Sequence, residues 1–217
     1  KIARKALVTS SYSKEVLSFI RDKNDFELLR YNKESWRMSK RIAGKSYEIC
    51  MSPEMAYNSA HTLSEFHSSL MNAPISDYPI SRFTDFRYRV KQFNNALNKA
   101  PMSRVKSSND LIIFVKSNMN IIEKYLKIEN RLPLRVIHGD PKVSNFLFDE
   151  STNKVNALID IDTIMPGTVL YDFGDMVRSF ANSIKEDDFI NREECFAPAI
   201  YEALLKGYYT GGKDYLT

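Results

Sequence analysis

HGDPKVSNFLFDESTNKVNALIDIDT, residues 138–163, decides how the rest of the chain is read. With LPLRVI before it, it reads as a short strand, a polar loop, a strand over 146–148, a turn (DESTNK) and a returning strand over 155–159. Asp140 and Asn145 stand five positions apart on the loop, and the return of the hairpin brings Asp160 back beside it, twenty residues after Asp140. A carboxylate and an amide so spaced face one cleft. Asp140 is suited to take a proton from a hydroxyl, Asn145 and Asp160 to offer oxygen to a hard cation. Mg²⁺ accepts few protein oxygens and leaves its other positions to water and phosphate, so one base and two oxygen ligands is a set fit for phosphoryl transfer.

Upstream, strand-like runs around Trp36 and Arg41–Ile42 end at Gly44 as a breaker. SPEMAYNSAHTLSEFHSSLM then predicts a helix with Ser52 as N-cap, Pro53 at the first helical position and Glu54 in the first turn. His67 reads as a packed residue on its apolar face. Residues 74–86 read as loop, punctuated by Pro74 and Pro79, and residues 89–98 as a short helix. Residues 110–128 predict one longer core-forming helix, with Ile113, Phe114, Ile121, Ile122, Tyr125 and Leu126 as its stripe. Downstream, YDFGDMVRSFANSI returns to helical spacing, and residues 192–210 predict a last helix. No repeat or low-complexity segment interrupts this order.

Composition excludes several classes. The 217 residues carry a net charge of +4 with basic and acidic residues interspersed, so no basic block marks a nucleic-acid binder. The mild positive balance suits a phosphate-bearing ligand. No apolar run approaches a membrane span, and KIARKALV has too short an apolar stretch for a secretory leader. Cys50 and Cys195, with no CxxC, read as free buried thiols in a reducing, cytoplasmic setting. His61, His67 and His138 lack the spacing of a zinc site. Nothing in the sequence fixes an oligomeric state.

HGDPKVSNFLFD followed by ALIDIDT resembles the aminoglycoside phosphotransferase superfamily of small-molecule kinases, with its H-x-D-x-x-x-x-N loop and a metal aspartate some way behind it. LIDIDTIMPGTVLYDFGDMVRS is similar to its N-acetylhexosamine 1-kinase branch, as are SWRMSKRIAGKSYE and SPEMAYNSAHTLSEFHSSL. The resemblance implies an α+β, protein-kinase-like fold: a remainder of the N-terminal lobe in 1–39, a hinge in 40–44 and a mostly helical C-terminal lobe in 45–217 carrying the catalytic β-hairpin. It implies ATP and Mg²⁺ as cofactors and a small sugar-like substrate. By the same resemblance Asp140 is the catalytic base touching the acceptor, Asn145 and Asp160 hold the metal, and His138 braces the loop. The backbone of Lys40, Arg41 and Ile42 pairs with adenine.

Asp172-Phe173-Gly174 carries the letters of the protein-kinase metal motif, but it stands 32 residues after Asp140, too far for that role. Phe173, Met176, Val177, Phe180 and Ile184 form a helical stripe that starts inside it. Asp172 and Asp175 therefore read as carboxylates at a helix start, capping its N–H groups. By resemblance Asp172 is the buried aspartate that bonds the catalytic-loop backbone, and Arg178 on the polar side of this helix is a substrate-facing candidate. Asp162, one pleat beyond Asp160, is a second-rank candidate for metal or substrate.

The chain departs from the branch at Gly139, where Asn is usual. It has no Gly-rich loop before the hinge, no placed phosphate-binding lysine and no counterpart of the family's C-terminal substrate region, so it reads as the middle of a longer protein. The expected reaction is phosphorylation of the anomeric hydroxyl of an N-acetylhexosamine. The alternatives are another small hydroxyl compound (an aminoglycoside, choline or homoserine) and a non-catalytic kinase-like binding module.

Overall fold

The computed structural model describes residues 2–77, 82–185, 195–213 and 215–216. Pro79 and the expected helix start at 192–194 lie outside the described residues. Ser52, extended at φ −160° and ψ 156°, accepts from the Met55 N–H and opens α2, Pro53–Ser69, with Pro53 in the first turn. The apolar face of α2 supplies the centre of the core: Met55, Ala56, Ala60, Leu63 and Phe66 are each at most 1% exposed. Against it lies α1, Ile2–Thr9, which buries Ala3 and Leu7.

Among the described residues the strands form three separate antiparallel pairs. β1, Leu29–Tyr31, and β2, Glu34–Trp36, make a hairpin whose turn residues Asn32 and Lys33 take φ of 49° and 66°, the left-handed values that match strand twist. Segment 18–20 runs beside segment 38–40 through Ile20 N–H to Met38 O and Lys40 N–H to Ser18 O, each about 2.8–2.9 Å. β3, Arg135–Ile137, pairs with β6, Met165–Gly167. β4, Phe146–Phe148, pairs with β5, Val155–Leu158, with a bulge between Leu147 and Phe148. Asp149 Oδ1 ties the β4–β5 turn by accepting from the N–H and hydroxyl of both Ser151 and Thr152. Those four bonds hold its carboxyl down at about 2.

Two helices close the core. α7, Val169–Phe180, buries Asp172, Met176 and Phe180. α8, Pro198–Gly212, packs along α2 through its glycines. A Cβ on Gly207 would lie 2.3 Å from the Tyr57 carbonyl oxygen and one on Gly211 would lie 2.9 Å from that of His61, so backbone meets backbone here. The remaining helices are α3 (Phe86–Lys99, capped by Asp85), α4 (Met102–Ser107), α5 (Asn109–Ser117) and α6 (Met119–Glu129).

Several expectations need correction. The single helix over 110–128 is two, α5 and α6, broken at Asn118, whose Nδ2 donates to Phe114 O and so ends α5. Nor is this stretch core: no residue of α3 to α6 is buried, and Leu111 and Phe114 are each 67% exposed. α3 packs on α6, α4 on α5 and α5 on α6, and Phe86 against Tyr171 and Tyr125 against Thr168 tie this group to the start of α7. Arg41–Ile42 is not strand; the chain rejoins a ladder only at Lys45, which pairs with Phe148. The stripe of α7 stops at Phe180, leaving Ile184 beyond it, and residues 195–197 precede α8 rather than belonging to it.

Candidate active site

β3 delivers His138 into the core at 0% exposure. Its Nε2–H donates to Ile159 O at 2.9 Å, while Nδ1 accepts from the Asp140 N–H at 3.3 Å. Burial pushes this imidazole below its ordinary value and keeps it neutral, as that bonding pattern requires. Gly139 follows at φ +87°, and a Cβ there would lie 2.6 Å from Thr163 O. The tight approach of the loop to residues 161–163 thus depends on glycine. Thr163 Oγ1 donates to His138 O at 2.8 Å, closing the same contact from the other side.

Behind the loop sits Asp172, on α7 and fully buried. Its Oδ2 accepts from His138 N–H at 2.6 Å and its Oδ1 from Gly139 N–H at 2.8 Å. The expected capping of its own helix does not occur, because both Asp172 oxygens are turned to the loop; Thr168 is the N-cap and makes no capping bond, its Oγ1 lying 2.8 Å from Tyr125 Oη. Oδ2 also meets His67 Nε2 at 2.8 Å, and His67 Nδ1 lies 2.7 Å from Tyr208 Oη. Tyr215 donates to Tyr208 at 3.1 Å. The consistent directions run from Tyr215 to Tyr208 to His67 to Asp172, a buried relay that ends on two backbone N–H groups of the loop. Two helical turns further, Ser179 Oγ accepts from Val143 N–H at 3.0 Å.

The loop and hairpin bring three of the sequence candidates together. Asn145 Nδ2 donates to Asp140 O at 2.8 Å and to Asp140 Oδ2 at 3.2 Å. Its backbone carbonyl accepts from Ile159 N–H at 2.9 Å, which sets Asp160 beside the loop. With its amide nitrogen on Asp140, Asn145 keeps Oδ1 as the oxygen to offer a cation. Asp160 takes φ 59° and ψ 51° and starts a 3₁₀ turn over Ile161–Thr163. The strand therefore ends before Asp160, and the pleat argument for Asp162 fails: Asp162 is held bidentately by Arg37 at 3.0 and 2.6 Å. Among the described residues no three His, Cys, Asp or Glu side chains form a metal cage. One amide oxygen and one carboxylate fit Mg²⁺, which is completed by phosphate and water, and do not fit a protein-caged metal. Lys142 Nζ, 3.2 Å from Asp140 Oδ2, is a further cation at the loop.

The three residues expected to face adenine, Lys40, Arg41 and Ile42, differ in their backbone bonding. The Lys40 N–H is already donated to Ser18 O. Among the described residues, no backbone hydrogen bond engages Arg41 or Ile42, so these two have groups to offer an adenine ring. Below them Ala43 O accepts from Asn156 Nδ2 at 3.1 Å, and Gly44, at φ +136°, lets the chain press onto Leu147 and Phe148. Arg178 does not stand alone: its Nε donates to Asp175 Oδ1 at 2.8 Å. Burial pushes the Asp175 carboxyl up, Arg178 opposes this, and the Asp140 and Asp172 carboxylates add to the rise. Asp175 is thus a neighbour of the loop rather than a cap.

His67, Tyr208, Ser179, Thr163 and Arg37 escape sequence reading. Each acts on a partner between 25 and 141 positions away, and no local spacing marks it.

Residues 14–209 match the model of the phosphotransferase enzyme family. Solved structures of similar fold include an aminoglycoside phosphotransferase from Alicyclobacillus acidocaldarius, 17% identical with a TM-score of 0.61, covering 97% of this chain and 64% of that one. Spectinomycin phosphotransferase in complex with ADP and spectinomycin is 14% identical with a TM-score of 0.55, covering 95% and 62%. An ethanolamine kinase from Plasmodium vivax is 14% identical with a TM-score of 0.54, covering 95% and 56%. The chain therefore spans about three-fifths of the length of these proteins.

Proposed function

The chain belongs to the phosphotransferase enzyme family, and from that premise we propose that it transfers the γ-phosphoryl group of ATP to a hydroxyl of a small sugar-like acceptor, the anomeric hydroxyl of an N-acetylhexosamine before others. The observation that carries this reading is the interlock of Asp140 with Asn145 and of Asn145 with the strand that presents Asp160. A nucleotide donor is supported by the ADP in the spectinomycin phosphotransferase complex, and the choice of sugar by the likeness of residues 158–179 to the hexosamine 1-kinase branch. The thiols of Cys50 and Cys195 are half-buried and not joined in a disulfide, which suits a reducing cytoplasm.

Asn145 and Asp160 are the residues to hold Mg²⁺, which when bound neutralises phosphate charge. Asp140 takes the proton of the acceptor hydroxyl as its oxygen bonds to the γ-phosphorus and the bond to the ADP oxygen breaks. The loop holds Asp140 in place, because Asp172, Ser179 and Thr163 bond four of its backbone groups. Such preorganisation, with positioning and charge stabilisation, supplies most of the rate in this chemistry. Arg178, held beside Asp175, is the substrate-facing cation, and the Arg41–Ile42 backbone seats adenine.

A coupled assay of ADP release by the full-length protein, run across hexosamines, hexoses, aminoglycosides, choline and ethanolamine, tests the acceptor. Turnover with N-acetylhexosamines alone is expected; turnover only with an amino alcohol replaces the sugar, and none with any acceptor sinks the enzyme reading. Asp140→Asn is expected to lower kcat by at least about a hundredfold with ADP affinity unchanged. Parallel loss of ADP binding would show that Asp140 is not the base. Asp160→Ala is expected to weaken binding of Mg²⁺-ADP itself.

A further inference from the structure

Asp160 stands in a left-handed conformation that a non-glycine residue keeps only when its surroundings fix it. Most of what fixes it comes from the catalytic loop. Ile159 N–H bonds Asn145 O, Ile159 O accepts from His138, and Thr163 Oγ1 bonds His138 O. Asp162 is different: its partner Arg37 follows directly on β2, 125 positions earlier, on the other side of the hinge. The pair is bidentate, the geometry in which guanidinium and carboxylate fix each other's orientation. The guanidinium is also backed. It lies over the Phe19 ring at 4.2 Å, with Arg4 over the same ring at 4.3 Å, and Arg4 in turn is paired with Glu27. Five groups, from Glu27 through Arg4, Phe19 and Arg37 to Asp162, thus form a continuous strap from α1 to the turn that follows Asp160.

We infer that Arg37 and Asp162 are a positioning pair for Asp160, which lets the N-terminal part of the chain hold the metal-binding turn. Asp162 serves this tie and is neither a metal ligand nor an acceptor ligand. The inference rests on the proposed role of Asp160 as a Mg²⁺ ligand. Electrostatics alone gives a different expectation, and the two separate cleanly. Removing Arg37 leaves an extra negative charge near the metal, and removing Asp162 leaves an extra positive one. A purely electrostatic role moves Mg²⁺ affinity in opposite directions for the two variants, whereas a positioning role weakens it in both.

The test is calorimetric titration of ADP into the full-length protein over a series of Mg²⁺ concentrations, with thermal melting of the metal-free protein to check the fold. Arg37→Ala and Asp162→Ala are each expected to weaken Mg²⁺-dependent ADP binding by about threefold to tenfold, with metal-free ADP binding unchanged. Arg37→Lys, which keeps the charge and loses the fork, is expected to recover only part. The exchanged pair Arg37→Asp with Asp162→Arg is expected to recover most of the affinity. Shifts of opposite sign in the two alanine variants, or no shift, overturn the positioning role. Asp160→Ala is the control beneath it: if that variant leaves the Mg²⁺ dependence unchanged, the metal assignment itself falls, a result distinct from failure of the strap alone.

Discussion

Gly139 shows how one residue can be legible as a letter and illegible as a constraint. The sequence marks it only as a departure from a branch that usually carries Asn. In the structure its φ of +87° and the 2.6 Å approach of a would-be Cβ to Thr163 O make the residue a requirement of this loop. Gly139→Ala is expected to cost about 1–3 kcal/mol of stability, read by chemical denaturation, and to lower turnover more than nucleotide affinity. An unchanged denaturation midpoint would mean that the 161–163 turn yields easily. Asp172 is the reverse case. Its distance from Asp140 rules out the metal role suggested by Asp-Phe-Gly, and the structure places both its oxygens on loop N–H groups. His67 could not be read in the same way, because a histidine on an apolar helix face is defined by its partners, and Asp172 and Tyr208 lie 105 and 141 positions away.

At the scale of elements, legibility follows locality. The β4–β5 hairpin was readable because strand, turn and strand are contiguous and Asp149 sits where its turn needs acceptors. The start of α2 was readable because Ser52 and Pro53 are adjacent cap signals. β6 is not legible in the sequence, because its partner β3 lies about 30 residues away and MPG carries no strand signature. The stripe of 110–128 misled because two short helices in series keep nearly the same periodicity across Asn118, and amphipathic spacing does not say how deeply a face is buried. The α2–α8 seam was hidden in GYYTGG, whose glycines look like breakers and instead let two helices touch. Gly207→Ala is expected to destabilise the protein by about 1–3 kcal/mol, since backbone and not a flexible side chain occupies the space. Gly174→Ala, where nothing lies within 4 Å of the new Cβ, is the matched control and is expected to be neutral or slightly stabilising by differential scanning calorimetry.

The molecule as a whole divides into a tightly buried half, built on α2, the catalytic hairpin, α7 and α8, and thinner parts. The β1–β2 hairpin and the α3–α6 arm are exposed along most of their length. Asp172, Ser179 and Thr163, which fix the loop, belong to the buried half, and the Arg37–Asp162 pair links it to the segment that follows β2. Global stability inherits a pH dependence from this burial. His138 has its folded-state value pushed below its ordinary 6.5, so the unfolded chain takes up a proton that the folded chain refuses. Stability is therefore full above the unfolded value of 6.5 and falls as pH drops from there toward the lower folded-state value, by up to roughly 1.4 kcal/mol per pH unit from this one group. Urea unfolding at a series of pH values checks this. His138→Gln is expected to flatten the slope, and an unaltered slope would mean that other groups set it. The α2–α8 seam carries a consequence for how the protein is made. Residues 138–180 leave the ribosome before α8 has been synthesised. Until Tyr208 emerges, His67 has no hydroxyl on its far side and the groove along α2 stands open. Asp172 and the loop are thus made before the Tyr208 hydroxyl that completes the relay behind them, and a nascent chain halted before residue 208 is expected to hold the loop on Asp172 without the outer end of that relay.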